Sequence, residues 1–135
     1  MKCEFFICCQ SAAVDVGSNR LSIFNILEQV NVPNIPVYTP SMTLCAMLVR
    51  QPNDPVVAKI SLMAKQPSQP NPSFNVPLHA DFQGLLSSRL LIEIPGVLIG
   101  HFEPLTFTLY YEDTVLADWR IQVVEVANAV APPLA

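Results

Sequence analysis

The stretch Phe74-Asn75-Val76-Pro77-Leu78-His79-Ala80-Asp81-Phe82-Gln83 decides the fold class. Its apolar members Phe74, Val76, Leu78, Ala80 and Phe82 take every second position, and polar residues with Pro77 fill the gaps. A period of two marks a strand with one buried face, because successive side chains of extended chain point to opposite sides. Proline has no N–H to give a ladder, so Pro77 places this strand at a sheet edge or a bulge.

The same period recurs outward from there. Ala58, Ile60, Leu62 and Ala64 alternate with Lys59, Ser61, Met63 and Lys65. Leu90, Ile92 and Ile94 alternate with Arg89, Leu91 and Glu93, and Leu105, Phe107, Leu109 and Tyr111 with Thr106, Thr108 and Tyr110. The last such segment puts Trp119, Ile121 and Val123 on one face and Asp118, Arg120 and Gln122 on the other. Cys3 to Val14 and Ser41 to Gln51 are apolar on both faces, which predicts central strands or strands facing a partner. Leu21 to Val30 slips phase near Phe24-Asn25, which predicts a bulge there. Between these runs lie Gly, Pro, Asn and Asp punctuators, and no amphipathic helix of useful length is written anywhere. The expected fold is all-β, an antiparallel β-sandwich of about eight strands. It forms one domain over 1–126, and 127–135, with Pro132-Pro133, is read as a flexible tail.

Composition narrows the function. The chain has 135 residues, of which 51% are hydrophobic and only 13% charged, with a net charge of −4. A globular protein ordinarily carries about 25% charged residues, so part of the apolar surface is expected to be covered by another chain. Seven Lys plus Arg against eleven Asp plus Glu, with no basic run, argue against a nucleic-acid partner. No apolar stretch reaches the roughly 18–20 residues of a spanning helix, so no membrane partner is expected. The apolar run at Phe5 to Cys9 is shorter than a signal peptide requires, and the protein is expected to be cytoplasmic. Cys3, Cys8, Cys9 and Cys45 form no C-x-x-C pair and read as free thiols, with Cys8 and Cys9 on opposite faces.

Chemistry is sparsely written. His79 and Asp81 are two apart on the cleanest strand, so both emerge on its polar face, where they could share a ligand or an ion. Strict antiparallel alternation gathers Asp15, Asp54 and Asp113 at one end of the sandwich, where their oxygens could hold a calcium-type cation. The plainer reading makes His79 and Asp81 a solvated pair and the three aspartates turn residues. There is no nucleophile elbow, and Gly17, Gly84, Gly96 and Gly100 fit neither phosphate-binding fingerprint. No catalytic residue, metal or cofactor is therefore assigned.

Phe6-Ile7-Cys8-Cys9-Gln10-Ser11-Ala12-Ala13-Val14-Asp15, then Asn19-Arg20-Leu21-Ser22-Ile23-Phe24-Asn25-Ile26-Leu27, and the closing Pro95-Gly96, Phe107-Thr108-Leu109 and Trp119-Arg120-Ile121-Gln122-Val123 carry a resemblance over most of 2–126. This pattern resembles a family of small bacterial proteins known only as a domain of unknown function. The resemblance implies a compact β-sandwich with no assigned activity. The sequence departs from it at Glu112-Asp113-Thr114, where a glycine-containing hairpin turn is usual. Together these readings predict a non-enzymatic protein that acts by self-association or by binding another protein. The alternative is a small-molecule or metal-ion binding module, or a minor hydrolase, using the acidic end or the His79/Asp81 pair.

Overall fold

Extended chain dominates residues 1–126, the part of the protein that the computed structural model describes; the expected tail at 127–135 lies outside the described residues. Eleven strands form: β1 (Lys2–Val14), β2 (Leu21–Ile26), β3 (Gln29–Val32), β4 (Val37–Tyr38), β5 (Met42–Val49), β6 (Val57–Lys65), β7 (Phe74–Asp81), β8 (Ser87–Ile94), β9 (Leu98–Ile99), β10 (Leu105–Tyr111) and β11 (Thr114–Glu125). The first sheet has the order β2-β1-β5-β8, the second β3-β11-β10-β6-β7, and β4 pairs with β9 in a small third one. The fold is all-β, as the alternation predicts.

Three details differ from the expected sandwich. There are eleven strands and not about eight, because the proline-rich connections contain the two-residue strands β4 and β9, and because the phase slip after Phe24 is a change of sheet. Past Ile26 the chain leaves β1 and begins again as β3 beside β11. That pair is parallel, with Gln29 opposite Gln122 and Val32 opposite Glu125, so the sandwich is not wholly antiparallel.

The core sits between the sheets. Phe6 and Cys8 of β1, Leu44, Ala46 and Leu48 of β5, and Ile94 of β8 face Ala58 to Ala64 of β6, Ala80 of β7, Leu105 to Leu109 of β10 and Ile121 of β11. Each set is one parity of its strand, as period two requires. Trp119 packs against this core and donates Nε1–H to the Leu27 carbonyl at 2.8 Å, tying β11 to the crossing between sheets.

The first sheet is curled, and this explains the segments that are apolar on both faces. The first half of β1 pairs with β5, from Lys2–Val49 to Cys9–Thr43, and its second half pairs with β2 instead. The β1–β2 hairpin bends back across the outer face, so that Asn19 at its tip accepts from Arg89 of β8 at 3.1 and 3.4 Å. Leu21 and Ile23 thereby come over Phe5, Ile7 and Met47, with a cleft of about 420 Å³ between them. Cys9 and Cys45, of the parity that points away from the core, are also buried, at Sγ–Sγ 3.8 Å. The second apolar face expected to meet a partner is in large part covered by the chain itself.

At the proline-rich end, buried Gln66 joins the loop after β6 to the loop before β10. Its Nε2 donates to the carbonyls of His101 and Glu103 at 2.7 and 2.8 Å, and its Oε1 accepts from the N–H groups of Gly100 and His101. Next to it, Thr39 exchanges hydrogen bonds with Val97, so closely that a Cβ on Gly96 would stand 2.8 Å from the Thr39 carbonyl oxygen. Only glycine fits that approach.

Candidate functional site

An unpaired strand edge is a row of free N–H and C=O groups, so the four edges of the two large sheets are where this fold is most reactive toward other chains. Three of them are blunted. Strand β7 carries Pro77 at its middle, as the opening stretch predicts for an edge. Strand β3 is only four residues long. Strand β2 holds Asn25 at φ 55°, a left-handed conformation that interrupts the pleat. Strand β1 has β11 as a neighbour, and its ladder with β5 is interrupted by a register shift between Cys3 and Phe5.

Strand β8 is different. Its eight residues Ser87-Ser88-Arg89-Leu90-Leu91-Ile92-Glu93-Ile94 pair with β5 without a register shift, contain no proline, and have no partner on the other side. The flank is closed by β7 only at its start, where Ser88 Oγ donates to the Asp81 carbonyl at 3.3 Å. Further along, the two sheets part, and a slot of about 190 Å³ opens, lined by Leu62, Phe74, Val76, Ile92, Ile94 and Pro95. Leu91, on the outer face, is 40% exposed.

The charges of β8 are also incompletely used. Arg89 gives two of its N–H groups to Asn19, and its Nε is buried with no hydrogen-bond partner. No carboxylate among the described residues comes within ion-pair distance of Arg89, and Glu93, four positions on and on the same outer face, has no cation at that distance either.

The residues singled out in the sequence form no common site: His79 and Asp81 share the exposed face of β7, Asp81 next to the start of β8, and Asp15, Asp54 and Asp113 lie in separate turns. His79 is exposed on β7 opposite Lys59. Asp81 spends Oδ1 on the backbone N–H of Gln83 at 2.8 Å, an ordinary turn contact. Asp15 accepts from the N–H groups of Gly17 and Ser18, and Asp54 from that of Gln51 and from the Met1 ammonium at 3.0 Å. Asp113 is exposed in the β10–β11 turn, which closes without glycine because Glu112 takes φ 54°. Among the described residues no three His, Cys, Asp or Glu side chains converge where a metal ion could be held, and no helix is long and apolar enough to cross a membrane. All four cysteines are free. Burial, with the neighbouring Cys9 and Cys45 adding to it, pushes the Cys8 thiol up to about 12. Burial and the contact with Cys9 do the same for Cys45, which is also about 12, so both are protonated at neutral pH.

The two hydrogen-bonded aspartates give a pH dependence. Backbone donors from Ser18 and Gly17 hold the Asp15 carboxyl below its ordinary value, and the Gln51 N–H, then the Met1 ammonium, hold that of Asp54 below its own. A carboxyl whose folded-state pKa is depressed stabilises the fold above the ordinary carboxylate range, and that contribution disappears as pH falls through the lowered value. Thermal midpoints of Asp54→Asn and the parent chain are therefore expected to differ at about pH 7 and to converge as pH falls below the ordinary carboxylate range. A gap that stays constant over that range would contradict the assignment.

Fold and edge together define the class: an all-β sandwich with a curled first sheet and one long open strand. Residues 4–124 match the family of unknown function DUF6941, and the chain belongs to that family. No curated protein and no solved structure matches it.

Proposed function

We propose that this protein is a non-catalytic interaction module that binds a polypeptide by adding a strand to the free flank of β8. The carrying observation is the contrast among edges: three are blunted by a proline, a left-handed residue or shortness, while β8 presents an uninterrupted ladder. Edges left open in this way pair readily, since backbone hydrogen bonds supply affinity and alternate side-chain positions supply choice. The apolar slot beside Ile92 and Ile94 adds a place for such a strand to bury side chains.

A peptide copying Ser88–Ile94 is the probe. Amides on the free flank of Leu90 to Ile94 exchange quickly with solvent in dilute protein and are expected to become protected when the peptide is added. Unchanged exchange along β8, or protection confined to another strand, would remove this reading. No specific observation favours the ion-binding or hydrolase alternative over it.

A further inference from the structure

Resting on that reading, we infer that the strand received by β8 is β8 of a second copy of this chain, paired antiparallel about a two-fold axis through Leu91. The outer face of the strand reads Arg89, Leu91, Glu93, one charge on either side of the leucine at equal spacing. In an antiparallel pair centred on Leu91, each Arg89 stands directly opposite Glu93 of the second copy. The two leucines, 40% exposed in the single chain, then meet at the axis. The register is self-selecting. A slip of two residues puts Arg89 in one direction, or Glu93 in the other, opposite leucine and leaves both charges unmatched, and a slip of one turns the inner face of one strand outward. An isologous contact of this kind closes after two copies, so the product is a dimer and not a fibre.

Three independent features fit the same arrangement. Arg89, half-buried, has no carboxylate of its own among the described residues, and Glu93 of the second copy supplies one. Glu93 gains the cation it lacks. Leu90 and Ile92, on the inner face, continue the core side of the strand, so the slots beside the two β8 edges are brought under a common eight-stranded sheet made of two first sheets of four. Opposite charges facing each other across paired strands are favourable and like charges unfavourable, which makes the arrangement testable by reversal.

The test uses absolute molar mass from light scattering over a hundredfold concentration range. The parent chain is expected to pass from monomer to dimer. Arg89→Glu alone and Glu93→Arg alone each create two like-charge oppositions, and each is expected to weaken dimerisation about tenfold to a hundredfold. An equimolar mixture of the two variants is expected to restore the dimer as a mixed species, visible by native mass spectrometry, because every opposition is then of unlike charge. The double variant Arg89→Glu/Glu93→Arg is expected to restore it in one chain. Since Arg89 also holds Asn19, circular dichroism of each variant checks that the fold persists, and rescue in the mixture cannot come from a misfolded partner. A parent chain that stays monomeric throughout overturns the dimer, and protection of β8 by the peptide then still upholds strand addition. A dimer indifferent to both reversals, or one the mixture fails to restore, also overturns this inference.

Discussion

Gln66→Leu is expected to destabilise the protein by about 3–4 kcal/mol, a fall of roughly 10–15 °C in melting midpoint for a domain of this size. Leucine fills nearly the same space, so the loss is one of hydrogen bonding. The carbonyls of His101 and Glu103 and the N–H groups of Gly100 and His101 all lose their partner at once, and Gln66 is 0% exposed. A buried polar group left unpaired costs about 1–3 kcal/mol, and water entering from the adjacent loops recovers only part of it. Urea denaturation of both chains measures the difference through the midpoint, with the slope unchanged. A loss below about 1 kcal/mol would mean that the segment from Gly100 to Pro104 is held by something other than this side chain, such as the bond between Ser68 Oγ and Glu103 Oε2 at 2.7 Å.

Phe107→Ala is expected to cost about 3–5 kcal/mol, the usual range for removing a fully buried aromatic ring. Phe107 lies on β10, flanked by β6 and β11, and its ring centroid is 6.1 Å from that of Phe74 on the edge strand β7. Truncation empties the middle of the second sheet and also removes the ring against which Phe74 leans. The effect should therefore reach the edge: hydrogen exchange of β7 amides is expected to quicken more than that of β1 amides. Equal acceleration in both would show that the cavity is absorbed globally.

How much of this was legible in the sequence depends on what each residue reports. The alternation of β6, β7, β8 and β10 is readable because the period of two is set by the backbone alone, and the inner members of β6 and β10 from Ala58 to Ala64 and Leu105 to Leu109 are buried, while those of the edge strands β7 and β8 are mostly half-buried. Pro77 marked its strand as an edge because a missing N–H is visible in one letter. Strand β8 carries no such mark, so its position at the other edge could not be read. The pattern Arg89, Leu91, Glu93 was in view as the polar parity of an ordinary strand, and only the open flank gives it meaning. The burial of both Cys8 and Cys9 was anticipated as a strand apolar on both faces, but periodicity says which side a residue faces and never what covers it. Cys8 lies in the core between the sheets, and over Phe5 and Ile7 of the outer face come Leu21 and Ile23 of the hairpin that follows. The pairing of β3 with β11 was out of reach for a different reason: Gln-Val-Asn-Val is too short to be distinguished from a loop, and its partner lies at the far end of the chain.

His79, Asp81, Asp15, Asp54 and Asp113 stand out in the sequence because their side chains can do chemistry. Their placement shows that most are occupied with the local backbone, which is what short polar side chains do at turns. Sequence reasoning had the chemistry of each residue but not its neighbours.

The parallel pair β3–β11 has a consequence for how the chain is made. Gln29 must wait for Gln122, so the edge of the second sheet cannot be completed until β11 has been synthesised. Most of the first sheet can assemble once Ile94 is free, while β10 and β11 are still to come. Until they arrive, β6 has only β7 beside it, and the core face of the early sheet is open to water. Closing so long a loop is slow, which leaves a newly made chain exposed for longer than a protein built from local hairpins alone. For this molecule the vulnerable interval ends when β11 is in place.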